Sequence, residues 1–215
     1  MLLQALLEGI ALRKGVTVVT GGGDASRTAL CRALAEQTDD STFTALLLRP
    51  VYSETELLSR ILQDFGVVSR DQSRVGHRVG VAPRELTEAI ERFLRGLPPI
   101  KAGAVLIVDN AQTLLQPVLL QIAALAELHD AGVPLLQVVL TGSPEFERLL
   151  QDPELRPLDA RVSTRYELEG LPAWPATPEA SSPRRRSLAA IVTVVLAACA
   201  LAVGLSIALL RRFGF

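Results

Sequence analysis

The chain is poor in cysteine and histidine, which argues against a disulfide-stabilised protein, a histidine metal site and a Ser-His-Asp hydrolase. Its two cysteines, Cys31 and Cys199, fall in a predicted helix and in an apolar segment near the end, so we expect no disulfide between them. Such usage is typical of a reducing compartment. His77 and His129 lack the spacing of metal ligands, and no Ser-His-Asp set or catalytic pair of carboxylates can be assembled. The first twelve residues have no basic region or cleavage site, so we expect no secretory signal.

A surplus of basic side chains is also missing from most of the chain. Residues 1–170 carry 17 basic and 22 acidic side chains, a net charge of −5, whereas residues 171–215 carry five and one, a net charge of +4. An acidic domain argues against a large nucleic-acid surface, so no nucleic-acid partner is expected. A basic segment beside an apolar one is typical of a membrane anchor.

Apolar strands and amphipathic helices alternate along the first 170 residues. The patterns predict helices over residues 2–11, 25–37, 54–65, 83–95, 117–129 and 144–150, and strands over 16–20, 44–48, 104–108, 135–140 and 164–168. The strands are uninterrupted apolar runs, which indicates a parallel sheet covered on both faces. We therefore predict one α/β domain over residues 1–170, with a polar, Arg-rich loop over residues 67–81.

The texture changes after Gly170. Residues 171–187 contain four prolines and Arg184, Arg185 and Arg186, which predicts a semi-extended linker. Residues 188–210 are 23 residues without a charge, enough at about 1.5 Å each to cross a hydrocarbon core of about 30 Å. We predict a transmembrane helix there; a buried core helix is the less favoured alternative, because it would be apolar all round and hang from a proline-rich linker.

The charges beside this span give its orientation. Three Arg precede the span and two follow it, a weak positive-inside bias towards a cytoplasmic domain. We therefore expect a single-pass, tail-anchored protein of the inner (cytoplasmic) membrane, with residues 211–215 as a short tail on the far side.

A glycine-rich turn between the first strand and the second helix has the form of a phosphate-binding loop. The segment consists of Gly21, Gly22, Gly23, Asp24, Ala25, Ser26, Arg27 and Thr28. In the motif GxxxxGK[ST], backbone N–H groups cradle phosphates, the Lys reaches the β- and γ-phosphates, and the hydroxyl binds Mg²⁺. Gly21 and Thr28 fit this pattern, but Ser26 replaces the second Gly and Arg27 the Lys. The alternative is a glycine turn that binds no ligand.

A second element supports the same fold. Residues 105–108 form an apolar strand that runs into Asp109, the arrangement in which a carboxylate helps to hold Mg²⁺. The next residue, Asn110, stands where a water-activating Glu is usual in AAA+ enzymes. Since an amide cannot accept a proton as a general base, hydrolysis is expected to suffer.

With both motifs placed, residues 6–171 resemble the AAA+ secretion ATPases of the general-secretion-pathway protein A type. The resemblance rests on ordered landmarks: TG at 20–21, TALCR at 28–32, LLLRP at 46–50, ELL at 56–58, LIVDNAQ at 106–112, LQVVL at 136–140, GSPE at 142–145, PELR at 153–156 and RVSTRY at 161–166. It implies a P-loop NTPase-like fold of three layers around a parallel sheet, with ATP and Mg²⁺ as the cofactors. It also implies secretion or envelope machinery as partners, and a homo-oligomer.

The resemblance implies a role for each matching residue. Thr28 would bind Mg²⁺, Asp109 would be the Walker B acid, and Thr141 lies near the sensor-1 position. Arg156 or Arg161 would be an arginine finger that reaches the nucleotide of a neighbouring subunit. The helical lid that normally follows Tyr166 is missing from the pattern.

Three hypotheses follow. The first is a membrane-anchored protein with a degenerate nucleotide site, acting as a scaffold or regulatory subunit in secretion, pilus or envelope assembly. The second is a working ATPase with an unusual loop, and the third is a scaffold without any nucleotide role. The replacements at Ser26, Arg27 and Asn110 favour the first.

Overall fold

The computed structural model describes residues 1–68 and 82–168. Its α-helices are α1 (Leu2–Ala11), α2 (Asp24–Gln37), α3 (Glu54–Asp64), α4 (Pro83–Arg95), α5 (Gln116–Ala126), α6 (Pro144–Leu150) and α7 (Arg156–Asp159). Its strands are β1 (Val16–Thr20), β2 (Thr42–Leu47), β3 (Gly103–Val108), β4 (His129–Asp130), β5 (Val133–Pro134), β6 (Gln137–Gly142) and β7 (Val162–Glu167). Short 3₁₀ turns lie at Pro98–Ile100, Ala111–Thr113 and Pro153–Leu155.

Five strands form one parallel sheet in the order β2-β3-β6-β1-β7. The strands consist mainly of β-branched and aliphatic residues, and β3 and β6 are buried almost along their whole length. Parallel strands are joined by crossovers whose helices cover the faces of the sheet, so a strand that is apolar on both sides suits a central position. The predicted α/β fold with a parallel sheet is confirmed.

Two apolar layers lie on opposite faces of the sheet, because successive strand residues point to opposite sides. On one face, Leu106 and Leu140 pack with the buried sides of α3, α4, α5 and α6. On the other face, Ile107 and Val139 pack with α1 and α2. The result is three layers, helix–sheet–helix, which places the start of α2 beside the carboxyl end of β1.

The structure corrects the predicted helix over residues 117–129. Helix α5 ends at Ala126, and the chain then forms a two-stranded antiparallel ribbon of β4 and β5. Ala131 and Gly132 both have positive φ, 49° and 81°, as a tight hairpin turn requires. The next sheet strand consequently begins at Gln137 and continues to Gly142, two residues beyond the predicted end.

Several predictions concern residues beyond those that the structure describes. These are most of the Arg-rich loop (69–81), the linker (171–187), the transmembrane helix (188–210), the tail (211–215) and the missing lid. Among residues 1–68 and 82–168, no helix combines the length and hydropathy needed to span a bilayer.

Candidate functional site

The sheet brings the predicted site residues to one edge. Strands β1, β3 and β6 are parallel neighbours or next neighbours, so the residues at their carboxyl ends converge. Gly21 follows β1, Asp109 follows β3, and Thr141 is the last residue but one of β6. Ligand sites of open α/β sheets lie at this edge.

The glycine loop is short and tightly held. Gly21 and Gly22 have φ of 90° and 61°, a region that favours glycine. A Cβ atom on Gly22 would lie 2.6 Å from Cδ2 of Leu168, so a larger residue would also collide there. Helix α2 already begins at Asp24, with Gly23 as its N-cap, which leaves three residues between strand and helix.

Arg27 turns back onto this loop. Its Nη1 donates to the carbonyl oxygens of Gly21, at 3.0 Å, and Gly22, at 2.7 Å. Its Nη2 donates to Oδ1 of Asn110 at 2.9 Å and pairs with the carboxylate of Asp24. Arg27 is only 1% exposed although it is charged, so these four acceptors replace its water.

Asp109 is the centre of a second group of contacts. Its carboxylate accepts hydrogen bonds from the hydroxyls of Thr28 and Thr141, the latter at 2.9 Å, and it is almost fully buried. Cys31 lies 3.4 Å from the Thr141 hydroxyl, and burial raises the pKa of its thiol to about 12. Asp109 therefore connects Thr28 and Thr141, the other two residues that the sequence suggested for metal binding or sensing.

Gln112 was not predicted as a site residue, yet it braces Asn110. Its Nε2 donates to Asn110 Oδ1 at 3.2 Å, and its Oε1 accepts from the backbone N–H of Ser143 at 3.2 Å. Asn110 itself adopts a left-handed conformation with φ of 53°. The only sequence signal for Gln112 is its place in the run LIVDNAQ.

Three other candidates lie apart from this cluster. Ser26 lines a cavity of about 270 Å³ with Leu30 and Leu168. Arg161 immediately precedes β7, whose first residue pairs with the first residue of β1. It therefore lies at the amino edge of the sheet, and at about 3.3 Å per residue the length of β1 puts it about 16 Å from the glycine loop. Arg161 also pairs with Glu127 at 2.5 Å, and Arg156 is exposed at the start of α7. Within residues 1–68 and 82–168, neither Arg forms a hydrogen bond or ion pair with the glycine loop.

The parallel sheet, the glycine turn between β1 and α2, and the acid at the end of β3 together define a P-loop NTPase-like α/β fold. The likeness to known proteins narrows the class. The family described as AAA domain matches residues 11–150. The general secretion pathway protein A of Aeromonas hydrophila is 33% identical over 156 residues, which cover 72% of this chain. The chain therefore belongs to the AAA domain family, and the predicted resemblance is confirmed.

The solved structures agree on the fold. The ADP form and the ADPNP-ADP complexes of the Aeropyrum pernix ORC2 protein match with TM-scores of 0.55 and 0.52. Each match covers 77% of this chain, and 46% and 45% of the respective solved chains. The identity is 12% in both cases, so the likeness shows the fold alone. The chain spans 27% of the length of the secretion protein that it matches.

Family membership implies a nucleotide with Mg²⁺ at the glycine loop, but the residues as arranged do not fit it. A phosphate cradle presents backbone N–H groups to the anion. Here the carbonyl oxygens of Gly21 and Gly22 face the Arg27 guanidinium, and the loop is three residues long. The hydroxyl of Thr28 and the carboxylate of Asp109 are oxygen ligands suited to Mg²⁺, but they bind each other directly.

Proposed function

We propose that the chain is a membrane-anchored AAA-family protein with a degenerate nucleotide site. It acts as a scaffold or regulatory subunit in a secretion, pilus or envelope-assembly machine. The secretion context comes from the relative named general secretion pathway protein A. The anchor is residues 188–210, which are uncharged and long enough to cross a bilayer.

The observation that carries the proposal is the position of Arg27. Phosphoryl transfer depends on positioning the nucleotide and stabilising charge in its transition state. The Arg27 guanidinium is bound to the loop itself rather than free for a phosphate group. An Arg is also not equivalent to a Lys here, because its planar fork holds several acceptors at once whereas an ammonium is a compact point charge.

Asn110 supports the same proposal. An amide cannot take a proton from water, so this position supplies no general base. Its side-chain oxygen, Oδ1, accepts hydrogen bonds from Arg27 Nη2 at 2.9 Å and from Gln112 Nε2 at 3.2 Å. We therefore expect weak nucleotide binding and slow turnover.

A working ATPase for the same kind of machine is the second candidate. It is favoured by the group of Thr28, Asp109 and Thr141, whose side chains meet at the carboxyl edge of the sheet. In that case Arg156 or Arg161 would serve a neighbouring subunit in a homo-oligomer, since neither reaches its own loop.

ATP hydrolysis by the purified full-length chain, in detergent and with Mg²⁺, separates the two candidates. We expect turnover below about 0.01 per second, against about 1–10³ per second for typical enzymes. The variant Asp109→Ala is the control, because it removes the acid from the cluster. Hydrolysis at several per second that is abolished by Asp109→Ala would replace the scaffold proposal with the enzyme.

The proposed location follows from the charges around the span. The linker carries three Arg before it and two Arg follow it, which favours a cytoplasmic domain on the inner membrane. Partners are then proteins of the assembly machine and further copies of this chain. An acidic domain is not suited to nucleic acid.

A further inference from the structure

We propose that Arg27 and Asn110 form an internal clasp that fills the glycine loop in place of a phosphate group. The clasp joins the start of α2 to the end of β3 through side-chain contacts of this chain alone. This inference rests on the proposed function, because a site occupied by its own side chain cannot also hold a nucleotide.

The contacts of Arg27 join two separate segments of chain. One segment holds Gly21 and Gly22, after β1, and Asp24, at the start of α2. The other holds Asn110, which follows β3 and is 83 residues from Arg27. A single guanidinium thus connects elements that a triphosphate would otherwise hold together. Arg is suited to this role because its donors are arranged in a fixed planar fork.

Burial shows that the arrangement is an integral part of the fold. Arg27 is 1% exposed, and its Nε is a buried atom without a partner within the described residues. A buried charge is strongly destabilising when it loses its partners. Asp24, the acid that pairs with Arg27 in the described part of the chain, has a side chain that is 84% exposed. The neutral acceptors Gly21, Gly22 and Asn110 therefore satisfy the buried side of the guanidinium.

Asn110 is chemically matched to its place in the clasp. Its φ of 53° lies in the left-handed region, which Asn tolerates better than most residues with a side chain. Its oxygen accepts from Arg27 and Gln112, and Gln112 in turn holds the backbone of Ser143 after β6. Arg27 and Asn110, which stand where the motifs have Lys and Glu, therefore stabilise each other through one direct contact.

A double-mutant cycle tests this coupling in the full-length chain in detergent. Urea unfolding is measured for wild type, Arg27→Met, Asn110→Ala and the double variant, with Arg32→Met, an exposed Arg of the same helix, as the control. The backbone cost of Ala at a left-handed position is present in both backgrounds and cancels. We expect Asn110→Ala to raise the equilibrium constant for unfolding by a factor about ten times larger when Arg27 is present than when Met replaces it. Equal effects in the two backgrounds overturn the clasp.

A second measurement addresses the filling of the loop. In Arg27→Lys, one ammonium cannot hold both carbonyls and both side chains, so the loop is released. We expect Mg·ATP to raise the melting temperature of this variant more than that of wild type or Arg32→Lys. An equal or smaller shift in Arg27→Lys overturns the clasp. Rapid hydrolysis by wild type would instead overturn the proposed function, whatever the cycle shows.

Discussion

Gly142, at the end of β6, is the position where the site tolerates no extra atom. A Cβ atom there would lie 2.7 Å from Cβ of Phe146, 2.9 Å from Oε1 of Gln112 and 3.0 Å from Cγ of Phe146. The Cβ of Phe146 is attached directly to the backbone of α6 and its side chain is fully buried, so no rotamer change relieves the clash. Gly142→Ala must therefore displace α6 from β6.

We expect this displacement to cost about 1–3 kcal/mol, the usual range for overpacking. For a chain of this size each kcal/mol lowers the melting temperature by about 2–4 °C, which predicts a fall of about 2–12 °C. Thermal unfolding of the full-length chain followed by circular dichroism measures it. The same clash pushes on Gln112, so contacts between Asn110, Gln112 and Ser143 should weaken as well.

Gly9→Ala, inside helix α1, is the matched control. In the described part of the chain, the nearest atom to the added Cβ would be Cδ of Lys14, at 4.0 Å. Ala is better than Gly inside a helix by about 0.5–1 kcal/mol, so this variant should melt at or above the wild-type temperature. If Gly142→Ala melts at the same temperature as wild type, the close approach of β6, α6 and Gln112 is wrong.

The remaining predictions concern Cys31 and the anchor. Burial raises the pKa of Cys31 from 9.0 to about 12, so in a Cys199→Ser variant the native thiol should resist iodoacetamide and react only after unfolding. The raised pKa favours the folded state fully below about pH 9, and this stabilisation is lost as pH rises towards about 12. Cys31→Ala should remove this part of the dependence of the unfolding free energy on pH. The full chain should stay with membranes in alkaline carbonate, whereas a chain ending at Gly170 should not; recovery in the carbonate supernatant refutes the anchor. An impermeant thiol reagent should label a cysteine placed at Phe215 from outside but not one at Ser181, and the reverse pattern refutes the orientation.

The sequence was sufficient for most of the fold because strong local signals mark its elements. Strand β1 and helix α4 were predicted with their observed bounds: a β-branched run ends at three glycines, and a Pro opens an amphipathic segment. The ribbon of β4 and β5 was missed because one of its two turn residues is Ala131, a residue that rarely adopts positive φ. Asp130, Gly132 and Pro134 are common turn residues, but they suit a simple helix-to-strand connection as well as a ribbon, so the sequence did not distinguish the two.

The sequence named several residues that meet at the carboxyl edge of the sheet, though not Gln112, and it did not predict their contacts. Parallel strands imply that Gly21, Asp109 and Thr141 share an edge, and the motifs named them. The direction of a long side chain is decided by acceptors elsewhere in the chain, and Asn110 is 83 residues from Arg27. Sequence reasoning therefore identified Arg27 as an imperfect phosphate ligand, whereas the structure places it against the backbone of its own loop.

This difference also determines which residues can distinguish a scaffold from an enzyme. The hydroxyls of Thr28 and Thr141 donate hydrogen bonds to the buried carboxylate of Asp109, as a buried acid requires in any folded domain. Their presence is compatible with both functions. Arg27 and Asn110 are different, because the guanidinium that would contact a phosphate group is bound to Gly21, Gly22 and Asn110, and the Asn110 amide supplies no general base. Variants at these two positions, rather than at Asp109, are therefore the ones that distinguish the proposed scaffold from an enzyme.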